Sequence, residues 1–465
     1  MFLVLSGMIL VSGVFFMSCS HRSSQGMMVV TQVPGEQNIT EFKASNDPRK
    51  LSGAQLRLID PKDPTGDSKM LTGDFFSACS PDVSFDGTNM IFTGQKTRQD
   101  LWQIYQMDLG TLKYKALTIG TQSCIDPIYL PGDRIMYKKV GLGPGTAEDQ
   151  ALFVYALKED QEQQITYGPG TYAATSMLQD GRIITLSRQM NNEASEPRLM
   201  VMRPDGTKQQ LFYQNKDELT LLTRAGEQSN GKIYLIEQNK TRAGELFSVA
   251  YSNPLHSKKR VSEHGEGDFI GLSKMENGRL LVCFKPSQAE SYGVFEIDPE
   301  GTYELSSIFD DKLNSSIQAV AVEQRKIPKN IPSEVDIEEQ TALLLCQDVN
   351  FMGYDKDTLL TASNKVVKLE VLGTEASLGM VDVEKDGSVY LKIKADTPFR
   401  LQTLNENGEI INGPSSWINM RPNERRACVG CHQGNEVAPN NKQPLAVLKE
   451  PIVIPAAAEL LARRE

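Results

Sequence analysis

Five stretches of this chain repeat one pattern of alternating apolar and polar residues. Each copy contains a short strand, a tight turn and a second strand, and a third strand follows after a gap. Most of the turns carry Asp-Gly or Asn-Gly, the pairs that a two-residue hairpin needs where the backbone φ is positive. The copies cover residues 80–108, 127–155, 178–202, 228–249 and 275–298. The pattern therefore predicts five antiparallel β units.

The spacing of these units indicates how they pack. They follow one another at intervals of roughly 45 residues, which is the blade period of a β-propeller and is longer than the turn spacing of a sandwich. A blade buries its faces only against its neighbours, so the ring must close. We expect residues 27–60 to supply strands to a sixth blade begun by residues 316–322. The sequence thus predicts a six-bladed β-propeller over residues 27–322, with seven blades as the alternative.

A second β unit follows the predicted propeller. Residues 323–340 are polar and interrupted by prolines, which is typical of a linker or a wrapped arm. Strand patterns then recur up to residue 411, and the last strand, residues 416–419, would deliver a terminal loop. We expect a small β-sandwich-like domain at residues 341–435, and an extended tail with a short helix at residues 436–465. The predicted fold class is all-β.

The first residues resemble an export signal. Residues 2–17 form an almost unbroken apolar run, which is short for a membrane span and typical of a signal-peptide core. Cys19 follows a small residue, as at a bacterial lipoprotein cleavage site, although the start has no Lys or Arg and Phe16-Met17 is bulky. We predict a signal peptide at residues 1–19, a lipid anchor on Cys19 and a tether at residues 20–26. The alternative is an ordinary secretory signal.

Charge and composition exclude several classes of function. The net charge is -10 at pH 7 and the pI is about 5.2. Lys and Arg are scattered without a basic stripe, so no broad nucleic-acid surface is expected. No Ser-His-Asp set, metalloprotease helix or phosphate loop indicates a hydrolase.

A C-x-x-C-H motif near the end of the chain carries the clearest chemistry. Cys428 and Cys431 have the spacing at which two thiols add to the vinyl groups of a haem, and His432 would be the proximal iron ligand. A zinc half-site, a redox dithiol and a structural disulfide also use closely spaced cysteines. No second C-x-x-C or H-x3-5-H is present to complete a zinc shell. We therefore predict one covalently bound haem c, matured outside the cytoplasm.

The other iron ligand is left open by the sequence. Met420 and Met352 are candidates for a thioether ligand on the distal side, and core packing is the alternative role for both. His264 is a further candidate, with an exposed loop position as its alternative. A five-coordinate iron would instead suggest small-molecule binding.

Two arginines and four cysteines complete the set of candidate residues. Arg425 and Arg426 could bind the haem propionates by charge-assisted hydrogen bonds, and a solvated charge pair with Glu424 is the alternative. The remaining cysteines lie mostly in apolar, strand-like segments and are either disulfide-bonded or buried single thiols. They are Cys79, Cys124, Cys283 and Cys346.

The order of these elements resembles the hydrazine synthase alpha subunit-like family, in which a Tol-type propeller precedes a β domain ending in a monohaem site. The segments that carry the resemblance are residues 81–87, 102–105, 130–135, 344–349, 395–398 and above all 422–432. The resemblance implies a periplasmic or surface-exposed haem protein. It does not imply hydrazine synthesis, because this sequence has one C-x-x-C-H where a catalytic version would carry two.

Three functional classes follow. The first is an electron-transfer component that works with a redox partner protein. This chain would be lipid-anchored to the outer membrane, on its periplasmic or surface face, or else be soluble in the periplasm. The second is a haem enzyme with an open iron site acting on a small molecule. The third is a propeller lipoprotein that serves as a binding or scaffold protein. We favour the first.

Overall fold

A computed structural model describes residues 24–63, 68–141, 150–189, 197–214, 219–221, 224–228, 230–239, 243–262, 267–287, 289–301, 304–351, 365–430 and 443–455. Within those ranges no helix has the length and apolar character needed to cross a bilayer. The predicted signal peptide with Cys19 and the predicted terminal helix at residues 456–464 lie outside the described residues.

The described residues between 28 and 321 form six antiparallel sheets, five of which are each built from a consecutive part of the chain. The first sheet contains β1 (Met28–Pro34), β2 (Gln55–Ile59) and β3 (Lys69–Met70). The second contains β4 (Ser77–Val83), β5 (Asn89–Gln95), β6 (Gln103–Asp108) and β7 (Tyr114–Ala116), and the third β8 (Ser123–Leu130), β9 (Arg134–Val140), β10 (Gln150–Ala156) and β11 (Gln161–Gln164). The hairpins predicted at residues 80–108 and 127–155 are therefore present, in the second and third blades.

The remaining three blades follow the same plan. The fourth contains β12 (Gly170–Met177), β13 (Ile183–Gln189), β14 (Arg198–Met202) and β15 (Gln210–Tyr213). The fifth contains β16 (Leu219–Leu221), β17 (Gly226–Glu227), β18 (Lys232–Asn239), β19 (Glu245–Ala250) and β20 (Lys259–Arg260). The sixth contains β21 (Gly267–Lys274), β22 (Leu280–Pro286), β23 (Gly293–Ile297) and β24 (Ser306–Phe309).

A strand from the end of the propeller closes the ring. β25 (Asn314–Ala321) follows the sixth blade and pairs antiparallel with β1, so that Val30 lies opposite Ala319. The first blade therefore has the order β25-β1-β2-β3. The first blade thus combines strands from the start and the end of the propeller segment, as the sequence predicted. The count of six blades is also confirmed.

One helix interrupts the first blade. α1 (Glu36–Ser45) joins β1 to β2, ends at Asn46 in the left-handed conformation and buries Ile39 and Phe42. A short 3₁₀ turn, Pro48–Lys50, follows it. The strand pattern did not predict this helix, because its apolar residues are too few to form a clear stripe.

Residues 323–340 form an arm without regular strands or helices that is hydrogen-bonded to the surface of the propeller. Arg325 donates to the carbonyl oxygen of Val83 in the second blade, and the amide of Lys329 donates to the carbonyl oxygen of Gln179 in the fourth blade at 3.2 Å. Farther along, the amide of Glu334 donates to Asp205 at 2.8 Å. Of the two roles predicted for this segment, the structure shows the wrapped arm.

Replacing Gly181 with alanine is expected to loosen this arm. Gly181 has a φ of +93°, and an added Cβ would overlap the carbonyl oxygen of Lys329. We expect a loss of about 2–4 kcal/mol in the free energy of unfolding, from left-handed strain plus overpacking. Gly278 is the matched control, because it has a φ of +85° in the corresponding turn of the sixth blade and an added Cβ would meet nothing within 4 Å. Equal losses for the two variants in chemical denaturation would contradict the docking of the arm.

The rest of the chain forms a sandwich of two four-stranded sheets. One has the order β32-β26-β29-β33 and the other the order β28-β27-β30-β31. Their strands are β26 (Thr341–Cys346), β27 (Lys368–Leu372), β28 (Ser377–Asp382), β29 (Val389–Lys394), β30 (Arg400–Leu404), β31 (Ile410–Asn412), β32 (Arg425–Cys428) and β33 (Ile452–Ile454). Apolar side chains from both sheets, among them Leu344, Val371 and Phe399, form one core. The predicted all-β fold of a propeller followed by a sandwich is confirmed.

Two details of the sandwich differ from the expectation. Residues 416–419 form only an isolated bridge, between Ile418 and Phe399, and β32 delivers the terminal motif instead. The reason is that the backbone of Trp417 exchanges both of its hydrogen bonds with the side chain of Gln189 in the propeller, at 2.9 Å each. The tail also contributes a strand, because β33 pairs in parallel with β29 after a 3₁₀ turn at Leu445–Leu448.

Candidate functional site

The first residue of the C-x-x-C-H motif lies on an edge strand of the sandwich. β32 pairs in parallel with β26, and Cys428 is the register partner of Cys346. The amide of Gln347 donates to the carbonyl oxygen of Cys428 at 2.9 Å, which continues the pairing beyond the strand. Cys428 is half-buried. The sheet therefore fixes the backbone of the motif at its first cysteine.

The two faces of β32 are different. Arg425 and Ala427 are exposed, whereas Arg426 and Cys428 are half-buried and lie beside Leu344 and Cys346 of β26. Alternation along a strand places these two pairs on one face. That face is turned towards the interior of the sandwich, because Cys428 packs against its apolar core.

A partly open cavity of about 150 Å³ lies between the two sheets at this point. Its wall is predominantly apolar, and both Cys346 and Cys428 line it. The other lining residues include Leu344, Leu369, Leu391, Leu401, Ile418 and Gly430. The thiol of Cys428 therefore borders an apolar space that is formed by both sheets.

A fully buried carboxylate anchors the strand that carries the motif. Glu424 is 0 % exposed, and its two oxygens accept hydrogen bonds from the backbone amides of Lys208 and Arg421 at 2.8 and 2.9 Å. Arg426 completes the arrangement with two side-chain nitrogens at 2.7 and 3.0 Å from Glu424. Because Lys208 belongs to the fourth blade, this carboxylate joins the propeller to the start of β32.

A second buried charge lies beside it. Arg421 is 1 % exposed, donates to Asp396 at 3.0 Å and lies 5.0 Å from the ring centroid of Tyr167 in the propeller. Burial raises the pKa of the Asp396 carboxyl, and the Arg421 guanidinium counteracts that rise. Buried charges of this kind are stable only when paired, so these contacts fix the orientation of the sandwich on the fourth blade.

The candidate residues from the sequence fall into three groups. Cys431, His432, Met352 and His264 lie outside the described residues. Met420 is 1 % exposed and packs in the sandwich core, the alternative role considered for it. Arg425 is exposed and its carbonyl oxygen accepts from the side chain of Lys208, while Arg426 is held by Glu424 and by the carbonyl oxygen of Asn419. The charge pair between Arg426 and Glu424 is therefore present, but it is largely buried rather than solvated.

The three cysteines of the propeller are buried single thiols. Cys79, Cys124 and Cys283 lie in different blades and form no disulfide. Burial raises the pKa of all three thiols, that of Cys124 to about 11. Because the reactive form of a cysteine is the thiolate, these residues are chemically inert at neutral pH.

The propeller contains a second cavity, of about 160 Å³, at its centre. The inner strands of the second, third and fourth blades have bulges there, with positive φ at Ser80, Asp126 and Ala174. Arg224 spans this space and donates to Asp126 at 2.7 Å. Burial alone would lower the pKa of Arg224, but the carboxylates of Asp126 and Asp82 outweigh burial and raise it.

Two buried carboxylates were not predicted as structural residues: Asp126 at the central cavity of the propeller and Glu424 at the junction between the propeller and β32. Asp126 gave a usable signal, because a charged residue followed by proline interrupts an apolar strand. Glu424 was expected only as a solvated partner of the two arginines, and its burial gave no signal, because a buried carboxylate in a polar segment has the same local sequence as an exposed one.

Comparison with known proteins agrees with this architecture. Residues 317–433 match the family model described as "Hydrazine synthase alpha subunit middle domain". Hydrazine synthase subunit alpha of Kuenenia stuttgartiensis is 34% identical over 58 residues, which is 12% of this chain and 7% of that protein. The alignment with this curated relative thus covers a small part of its length.

One solved structure extends the similarity of fold to most of the chain. Hydrazine synthase of Kuenenia stuttgartiensis superposes with a TM-score of 0.80 at 16% identity, covering 91% of this chain and 71% of that chain. TolB from Acinetobacter baumannii has a TM-score of 0.46 at 11% identity, covering 63% of this chain and 66% of its own. The sequence similarity is thus to the middle domain of the hydrazine synthase alpha subunit at residues 317–433, and the similarity across most of the chain is one of fold.

Proposed function

We propose that this chain is an exported protein that carries one covalent haem c and transfers electrons to or from a protein partner. Cys428 and Cys431 would form the two thioether bonds, and His432 would bind the iron. The observation that carries the proposal is the position of Cys428, which an edge strand holds at an apolar cavity between two sheets.

The apolar residues around Cys428 are chemically suited to the faces of a porphyrin. Its faces are apolar, and the cavity offers leucine and isoleucine side chains from both sheets, such as Leu344, Leu401 and Ile418. Burial of apolar surface contributes about 25 cal/mol per Å², so this wall favours a large flat apolar group over a hydrated metal ion. Cys428 is half-buried and lines this cavity, which is where a covalently attached group would start.

A role in electron transfer is consistent with the position of β32 at the edge of its sheet. A bound haem c supplies an iron that takes up and releases one electron. β32 is the outermost strand of its sheet, and its outer face, with Arg425 and Ala427, is exposed. A group attached at this edge stays within reach of a docked protein. The name of the curated relative describes it as a subunit, which fits a protein partner for this chain as well.

Covalent attachment is tested by replacing both motif cysteines. In a host that matures c-type cytochromes, the Cys428→Ala, Cys431→Ala double variant is expected to lose all haem stain on a denaturing gel, because both thioether sulfurs are gone. Cys124→Ala, which removes a buried propeller thiol, is the control and should keep the stain. Stain retained by the double variant, or absent from the unmodified protein, would refute the assignment.

The same preparations address the role and the location. A low-spin spectrum that does not respond to carbon monoxide supports electron transfer, whereas a high-spin, reactive iron supports an enzyme acting on a small molecule. For the location we propose a lipid anchor on Cys19. The haem stain should then move from the membrane fraction to the soluble fraction in Cys19→Ala, and an unchanged distribution would contradict the anchor.

A further inference from the structure

Cys346 lies beside the first motif cysteine. The two are register partners on neighbouring parallel strands, and both line the cavity between the sheets. Cys346 is 8 % exposed, whereas Cys428 is half-buried. The site therefore contains a sulfur that does not belong to the C-x-x-C-H motif.

The backbone geometry suits a covalent bond between these two sulfurs. Neighbouring strands lie about 4.7–4.9 Å apart, and disulfides join residues whose Cα atoms are about 4.4–6.8 Å apart. The shared cavity shows that both side chains lie on the same face of the sheet. The spacing of register partners on neighbouring strands therefore falls within the Cα range of disulfides.

We propose that Cys346 forms a disulfide with Cys428 in protein that carries no covalent haem. A small disulfide or a disulfide-forming enzyme serves as the oxidant. The Cys428 thiolate attacks it, forms a mixed disulfide and releases one oxidant thiol. The Cys346 thiolate then attacks the Cys428 sulfur and releases the second thiol. Two thiols of the protein are oxidised, the oxidant takes up the electron pair, and the two protons pass to its thiols.

The order of these steps follows from exposure. Thiol–disulfide exchange requires access to the attacking sulfur, and Cys428 is the more exposed of the two. The bond would join β32 to β26 and keep the edge strand paired before haem arrives. A sulfur held in a disulfide cannot add to a vinyl group, so reduction of this bond would have to precede attachment at Cys428. That consequence rests on the proposed function, whereas the disulfide itself does not.

The test uses the full chain exported by a host that lacks cytochrome c maturation, so its outcome does not depend on haem. Purified protein is treated with a thiol-alkylating reagent without reduction and digested with trypsin. Cys346 lies in the tryptic peptide 330–356, and both motif cysteines lie in peptide 427–442. We expect these peptides to be joined in the mass spectrum and to separate after reduction.

Two variants identify the sulfur. In Cys431→Ser the link should persist, because Cys428 is then the remaining cysteine of its peptide, and in Cys428→Ser it should disappear. Separate alkylation of Cys346, a bond within peptide 427–442, or a link that survives in Cys428→Ser would each overturn the proposal. If Cys431→Ser does not fold, the joined peptides of the unmodified chain and their loss in Cys428→Ser decide the question.

Discussion

Replacing Glu424 with alanine is expected to lower the free energy of unfolding by about 3–5 kcal/mol, the cost of breaking a buried charge pair by removing one partner. The carboxylate is fully buried and accepts hydrogen bonds from two backbone amides and from Arg426. Its loss leaves the largely buried guanidinium of Arg426 without its counter-charge and the amide of Lys208 without its acceptor. Chemical denaturation followed by circular dichroism measures the effect.

The control for this variant is Glu384→Ala. Glu384 pairs with Lys449, whose side chain is 65% exposed, so the loss should stay within about 1 kcal/mol. The Glu424 variant should also release the start of β32 from the propeller, and proteolysis near residue 421 should become faster. Unfolding curves that coincide for the two variants would show that the buried carboxylate does not join the domains.

Replacing Gly206 with alanine is expected to lower the free energy of unfolding by about 2–5 kcal/mol. Gly206 has a φ of +83°, and an added Cβ would overlap the carbonyl oxygen of Ile165. Left-handed strain of about 1–2 kcal/mol and overpacking of about 1–3 kcal/mol therefore add at one position. The same turn carries Asp205, which binds the arm at Glu334, and it precedes Lys208, which binds Glu424. The variant should thus weaken these two attachments of the propeller to the rest of the chain.

Gly231→Ala separates the clash from the strain. Gly231 lies in a turn of the fifth blade with a φ of +75°, and an added Cβ would meet nothing within 4 Å. Its loss should be about 1–2 kcal/mol, from the left-handed conformation alone. Melting temperatures measured side by side compare the two variants. A Gly206 variant as stable as the Gly231 variant would mean that the turn can move without affecting its contacts.

The local chemistry of the chain explains why so much of the fold was predictable. Asp-Gly and Asn-Gly turns such as Asp180-Gly181 and Asn277-Gly278 select hairpins through their own backbone preferences, and both glycines have positive φ in the structure. Successive turns of this kind recur at the blade period. The closing strand was also predictable, because the five repeats leave strand patterns at both ends of the propeller segment and each blade must be packed on both sides.

The candidate site was predictable only at its motif. The C-x-x-C-H spacing is a local signal, and it is enough to make Cys428 a candidate for haem attachment. The expected strand at residues 416–419 was wrong, because the backbone of Trp417 is bound by Gln189 in the propeller. Gln189 is far from Trp417 in the chain, so no pattern near the motif reveals this contact.

The sequence alone determined the all-β fold, the six blades, the sandwich and the motif, because each depends on alternation, turn residues or spacing within a short segment. Only the tertiary structure decided which polar groups became buried and which distant strands became neighbours. Glu424 is buried because Lys208 and Arg426 supply its partners, and Cys346 lies beside Cys428 because β26 and β32 pair in parallel. Such pairings depend on the packing of whole domains, and short-range sequence preferences do not encode them.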